Sequence, residues 1–238
     1  MKYLSIFLCA TALIIGCKDK AEKSQQTSAN QSAEVEIDSW TSLMNKTDWK
    51  GYNQNELPSK WTIEEGLISC MGEGGAEGGD IISVLAYDNF ELAFEWKISA
   101  GGNSGVFYHV VESPKYKFPY ETGPEFQLLD DEGFSGPVED WQKSGANYAM
   151  HIPNAEKVLN PVGNWNSSRI IFDKGHVEHW LNGKKILEFD KNSEDWREKR
   201  NSGKWNDYPD YGNTNSGHFA LQDHGAGVWF KEIKVKKL

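Results

Sequence analysis

The chain has 238 residues, 25 Lys and Arg against 35 Asp and Glu, a formal net charge of −10, and 13% aromatic residues including ten Trp. That acidity argues against nucleic acid as a partner and against adhesion to anionic membranes through a basic patch. Of the three cysteines only Cys70 lies beyond the N-terminal segment, which excludes an internal disulfide framework and leaves packing to hold the domain.

Met1-Lys2 is a short basic start, and Tyr3 to Ile15 is an apolar run. The run falls short of the ~20 residues that span a bilayer and fits the apolar region of a secretory signal. Ile14-Ile15-Gly16-Cys17 resembles the bacterial lipobox, in which cleavage precedes a cysteine whose sulfur is then acylated. The expected organisation is a signal peptide over 1–16, a lipidated tether over 17–38 and a folded domain over 39–238. Lys18 to Glu36 has almost no large apolar residue, so the tether buries too little surface to offset its chain entropy. The expected location is the bacterial cell envelope, with the membrane touched only through the lipid anchor.

Beyond Trp40 the pattern is that of strands. Trp61–Glu64 and Leu67–Cys70 flank Glu65-Gly66, a hairpin signal, and Gly72 to Gly79 reads as a loop. Phe90 to Ile98 alternates cleanly, with Phe90, Leu92, Phe94, Trp96 and Ile98 on one face. Further strands are expected at Ile81–Leu85, Asn103–Val110 and Phe126–Asp130. Arg169–Phe172, His176–Leu181 and Lys185–Phe189 are linked by Asp173-Lys174-Gly175 and Asn182-Gly183, both tight-turn signals. Ser193 is a candidate helix cap inside the long connection 190–215, and Phe219–Gln222 and Val228–Val235 close the domain. Many short antiparallel strands with little helix predict an all-β sandwich of two antiparallel sheets, of the jelly-roll type.

Three places carry candidate chemistry. In Leu221-Gln222-Asp223-His224-Gly225 a strand breaks into versatile side chains next to glycine, a natural site or an ordinary polar turn. Glu125 and Gln127 share a strand face opposite Phe126 and Leu128, which should pack inward. His179 lies on a strand whose inner face the periodicity leaves open. Trp141, Trp165, Trp205, Tyr208 and Tyr211 fall in loops, where aromatics either stack on a sugar or pin the loop down. No established metal signature, nucleophile elbow or phosphate loop occurs.

Five motifs then occur in order: Asn103-Ser104-Gly105-Val106-Phe107-Tyr108, Glu125-Phe126-Gln127-Leu128-Leu129-Asp130, Pro161-Val162-Gly163-Asn164-Trp165-Asn166, Glu178-His179-Trp180-Leu181-Asn182-Gly183 and Leu221-Gln222-Asp223-His224-Gly225. Together they resemble the 3-keto-disaccharide hydrolase domain family, from about Trp40 to Leu238. The resemblance implies a concanavalin-like jelly roll in a bacterial lipoprotein and a carbohydrate substrate. It implies cleavage of 3-keto-glycosides, in which the ketone acidifies the C2 hydrogen, an enolate expels the C1 substituent, and water adds back. One departure is Phe230-Lys231-Glu232-Ile233, where many members carry Phe-Arg-Asn-Ile. On this resemblance Glu125, His179 and His224 are the candidate proton-transfer residues, and Gln127, Gln222, Trp141 and Trp165 the candidate sugar contacts. No cofactor is certain from the resemblance; a divalent metal ion held by Glu125 would stabilise an enolate. The competing expectation is a non-catalytic carbohydrate-binding lipoprotein, since fold does not fix function.

Overall fold

The computed structural model describes residues 39–71 and 79–238. The signal peptide, Cys17 and the tether lie outside the described residues, as does nearly all of the 72–79 loop.

Among the described residues the domain has thirteen strands, one short α-helix and four 3-10 turns. The strands are β1 (Thr41–Ser42), β2 (Trp49–Gly51), β3 (Trp61–Glu64), β4 (Leu67–Met71), β5 (Ile81–Tyr87), β6 (Phe90–Ile98), β7 (Asn103–Val110), β8 (Glu125–Leu129), β9 (Asn166–Asp173), β10 (His176–Leu181), β11 (Lys184–Asp190), β12 (Gly217–Leu221) and β13 (Gly227–Lys237). All pairings are antiparallel. One sheet runs β11-β10-β9-β6-β13-β4-β3, with β1 added against β13, and the other runs β2-β5-β12-β7-β8. The expected jelly-roll sandwich of two antiparallel sheets is the fold observed.

Inward-facing residues of both sheets build the core. The β6 alternation holds without a slip, so Phe90, Leu92, Phe94, Trp96 and Ile98 are all buried. Burying each such side chain contributes roughly 1.5–3 kcal/mol. Trp96 Nε1 keeps its hydrogen bond by donating to Ser168 Oγ at 2.9 Å, which removes the penalty for a buried donor. The hairpins turn where the dipeptides predict. Glu65-Gly66, Lys174-Gly175 and Asn182-Gly183 each hold two successive positive φ values, the backbone that matches strand twist in a two-residue turn.

The long connection 190–215 is ordered by rings. Helix α1 (Glu194–Arg200) starts at Ser193, whose Oγ accepts from Trp196 N at 3.1 Å. Trp196 stacks on Phe189 and on Tyr211, and Tyr211 stacks on Trp205 with centroids 3.7 Å apart. Trp205 and Tyr211 are fully buried, so they pin the loop and offer no face to a ligand. Tyr208, half-buried, packs edge-on against Trp205 and Tyr120.

Candidate active site

Strand β8 forms the floor of the site. Phe126 and Leu128 enter the main core, so alternation sends Glu125 and Gln127 to the opposite face of the five-stranded sheet. Neighbouring β7 pairs Phe107 with Glu125 and Gly105 with Gln127. A Cβ on Gly105 would collide with Glu125 Oε1, so a glycine inside this strand makes room for the carboxylate. Asn103, at the start of β7, accepts a hydrogen bond from Gln127 Nε2 at 3.2 Å. Gln127 Oε1 is left buried without a partner.

The segment after β12 forms one wall. Gln222 is fixed by its backbone: its N–H donates to Gly105 O at 3.0 Å and its carbonyl accepts from Ser104 Oγ at 2.8 Å. Its Oε1 is also buried and unpartnered. Asp223 shapes the turn, with Oδ1 accepting from Gly225 N at 3.0 Å while Gly225 takes φ of 83°. Its own N–H donates to Asp80 Oδ1 at 2.9 Å, tying this turn to the residue before β5. Asp223 Oδ2 makes no hydrogen bond, and Lys60 Nζ stands off at 3.5 Å. Burial, and then the Asp223 charge, push the Cys70 thiol up to about 12, so that cysteine is inert packing.

Loops close the other walls. Phe118 and Tyr120, from the turn around Pro119–Glu121, and Tyr148 supply aromatic surface. Lys204 comes from the 3-10 turn Gly203–Asp207, and its ammonium sits 4.7 Å from the Tyr120 ring centroid, 4.5 Å from Tyr148 and 4.8 Å from Trp205. The buried Trp205 holds it there, with Nε1 donating to Tyr148 O at 3.2 Å. Asp80, Glu125, Gln127, Gln222, Asp223 and His224 thus share one cavity of about 280 Å³ with Lys204 and the aromatic walls.

Burial controls the charges here. It drives the Glu125 carboxyl well above the usual carboxylate range; the Lys204 charge opposes this and Asp80 adds to it. Burial lowers the Lys204 ammonium in turn, opposed by Glu125. Asp80 is pushed up to about 7, first by burial and then by the Asp223 charge, against the stabilising Asp223 N–H. Carboxyls that exchange protons near neutrality in a cleft mark a reactive site.

Of the residues expected from sequence, Glu125, Gln127, Gln222 and His224 meet in this cavity. His179 does not. It is fully buried on the core side of β8, against Phe126, Phe189 and Tyr108. Its Nδ1 donates to Gly145 O at 3.0 Å, and burial pushes it down to about 4. It is therefore a neutral packing histidine with no route to a ligand. Trp165 lies on the outer face of the other sheet, with the Lys97 and Lys231 ammonium groups 5.1 and 4.5 Å from its ring centroid. Trp141 does not line the cavity but packs edge-on against Tyr148, which does. Asp80, Lys204, Tyr120 and Tyr148 were missed. The lysine beside a loop tryptophan, Lys204-Trp205, was a faint signal for one of them.

The donors fit a metal ion poorly. Among the described residues, the His, Cys, Asp and Glu ligand atoms that gather tightly are those of His176, Glu178 and Glu188. That group is on the outer face of β10 and β11, where Lys185 already pairs with both glutamates. Glu125 belongs to no such cluster, and Lys204 is the cation acting on it.

A family model described as the 3-keto-alpha-glucoside-1,2-lyase-like domain matches residues 39–236. The chain belongs to this family. A 3-keto-disaccharide hydrolase of Bacteroides thetaiotaomicron is 36% identical over 217 residues, 80% of this chain and 74% of the relative. A solved structure of a candidate glycosyl hydrolase from Parabacteroides distasonis ATCC 8503 superposes with a TM-score of 0.78 at 46% identity, covering 84% of this chain and 94% of that one. The carbohydrate-binding module CBM66 of Bacillus subtilis shares the fold alone, with a TM-score of 0.50 at 12% identity over 81% of this chain and 98% of that one.

Within this family domain the five ordered motifs divide by task. The first, second and fifth meet at the cavity. The third and fourth lock a loop: Asn166 Oδ1 accepts from Asn160 N and from Asn182 Nδ2, both at 2.9 Å, and Asn182 Oδ1 accepts from Ser167 N at 2.9 Å. The Phe-Arg-Asn-Ile departure is structural too. Lys231 pairs with Glu95 at 3.0 Å, and Glu232 occupies a bulge at φ of 51°, a backbone that asparagine adopts more readily.

Proposed function

We propose that the protein cleaves 3-keto-glycosides by abstraction of the C2 proton, elimination of the C1 substituent and hydration. The Glu125–Lys204 pair carries this reading. A carboxyl whose proton affinity is raised by burial is a strong base, and the C2–H beside a ketone is acidic enough to need one. The Lys204 ammonium supports the charged form of that base and stabilises negative charge developing on the enolate oxygen. Glu125 is buried while Lys204 keeps solvent access at the cavity mouth, so the attraction is strengthened on the carboxyl side only.

The remaining walls fit a sugar. Gln127 Oε1 and Gln222 Oε1 are buried acceptors without donors, and sugar hydroxyls would supply them. Tyr120 and Tyr148 offer ring faces and edges, and His224 is an exposed contact at the rim. A cavity of about 280 Å³ is at the small end of ligand pockets, suited to one keto-sugar unit with the leaving group towards solvent. No step is routed through a metal ion. The same reading anchors the protein to the cell envelope through Cys17; globomycin should accumulate a larger, uncleaved precursor, and Cys17→Ala should abolish incorporation of labelled palmitate.

The test is turnover of 3-keto-glucosides in D₂O. Elimination predicts leaving-group release together with deuterium at C2. Glu125→Gln is expected to lower kcat by ~10²–10⁴, and His224→Ala by much less. Binding without product in the unaltered protein would favour a carbohydrate-binding role. Product without deuterium at C2 would sink the elimination route.

A further inference from the structure

The elimination route needs a second proton-transfer group, because an alkoxide leaving group departs poorly without a proton and the returning water must lose one. We propose that Asp80 is this residue, acting as acid on the glycosidic oxygen and then as base on water; the assignment rests on the reading of the site given above.

Position supports the role. Asp80 lines the same cavity as Glu125 and is almost wholly buried. Its backbone is held on both sides: Tyr52 N donates to Asp80 O at 2.9 Å, and β5 begins at the next residue. Its Oδ1 accepts the Asp223 N–H at 2.9 Å. Among the described residues no hydrogen bond reaches Oδ2, and that atom is not sealed in the interior. One carboxyl oxygen is therefore anchored and the other is free for a ligand.

The two carboxyls have different charged neighbours. Glu125 has Lys204 to favour its charged form. Asp80 has the Asp223 carboxylate instead, and the cation of that group, Lys60, stands 3.5 Å from Asp223 Oδ2. Tyr52, Tyr120 and Cys70, the other titratable groups that feel Asp80, are all raised by burial and stay neutral. Burial leaves both carboxyls raised, Glu125 to about 8 and Asp80 to about 7, so position separates their roles: Glu125 shares the cavity with the cation that stabilises a charged base, and Asp80 keeps Oδ2 open to a ligand. Gly79 belongs to the same arrangement, since a Cβ there would collide with Asp223 Oδ2 and displace the turn that orients Asp80.

The proton balance closes. Glu125 takes the C2 proton, the C1–O bond breaks, and Asp80 gives its proton to the departing oxygen, leaving a C1=C2 double bond conjugated to the ketone. Water then adds at C1, losing a proton to Asp80, and Glu125, its proton exchanged with solvent in the meantime, protonates C2. Both side chains end as they began, and the net reaction is hydrolysis.

The decisive experiment compares Asp80→Asn on two substrates, methyl 3-keto-glucoside and 4-nitrophenyl 3-keto-glucoside, with circular dichroism to establish folding. The methyl glycoside needs a protonated leaving group and should lose ~10²–10⁴ in kcat. Release of 4-nitrophenolate should fall less than about tenfold, because that group leaves without a proton, and C2–H exchange in D₂O should persist. Equal losses on both substrates, or unaltered kinetics on both, would overturn the assignment. Where Asp80→Asn fails to fold, Asp80→Glu replaces it and should keep the substrate ordering while moving the acidic and basic limbs of the pH profile. An unaltered protein that releases neither leaving group removes the functional reading, and the Asp80 assignment falls with it; a fully active one with an indifferent Asp80→Asn variant removes only the latter.

Discussion

Two hollows of similar size lie in this sandwich, and they differ in what their walls leave undone. The cavity over β8, about 280 Å³, is lined among others by Gln127 and Gln222, whose Oε1 atoms are buried without hydrogen bonds. The hollow between Trp96 and the 157–166 loop is larger, about 370 Å³, yet its polar groups are satisfied. Asp130 accepts from Gly101 N and Gly133 N, Asp131 accepts from Ser144 N and pairs with Lys157, and Asn166 accepts twice. Volume alone would pass over the cavity at β8. An unsatisfied buried acceptor costs about 1–3 kcal/mol, and a stable fold retains several together where a ligand completes them. Three such atoms elsewhere, on Tyr108, His109 and His179, are single ring or hydroxyl positions in the core and enclose no ligand-sized space.

Substitutions on each side sharpen this contrast. The largest effect is expected for Lys204→Met, which removes the charge that supports the Glu125 carboxylate and the enolate. A loss of ~10²–10³ in kcat is expected. Because Lys204 lowers the Glu125 proton affinity, its removal should move the limb on which activity rises with pH to higher pH. A limb that stays in place would show that the two groups are not coupled. Next comes Gly105→Ala. The added methyl displaces the Glu125 carboxylate, and misplacement of a reacting group by about 1 Å costs ~10²-fold. Thermal unfolding should show only an overpacking penalty of about 1–3 kcal/mol, and unchanged turnover would mean that Glu125 has another way to seat itself. The smallest effect on activity is expected from Asn166→Ala in the larger hollow. It strips two hydrogen bonds from the 160–182 lock and should lower stability by about 1–3 kcal/mol, with kcat/KM of the folded protein unchanged. A selective loss of turnover there would erase the distinction between the two hollows.

His179 teaches the same lesson from inside a single motif. In Glu178-His179-Trp180-Leu181 the alternation was plain, but which face turned inward was not. The pairing of β10 with β9 and β11 sends Val177, His179 and Leu181 inward, all fully buried. A chemically versatile residue thereby became packing, while the equally ambiguous Gln222-Asp223-His224 segment became a cavity wall. Trp165 followed His179: its loop lies at the end of the eight-stranded sheet, so its ring covers Lys97 and Lys231 on the far face.

What the sequence determined by itself is what depends on neighbours along the chain. Period-two alternation set the strands and their buried faces at β6 and β8, glycine-bearing dipeptides set three tight turns, Ser193 set a helix start, and the ordered motifs set the family. Tertiary structure alone decided which polar residues share a space. Asp80 and Asp223 are 143 positions apart and Lys204 is 79 from Glu125, and they meet because β5, β12, β7 and β8 lie side by side while a stack of rings carries the 190–215 connection over them. Proton affinity belongs to that second category, since it follows from burial and from charges that only folding brings together.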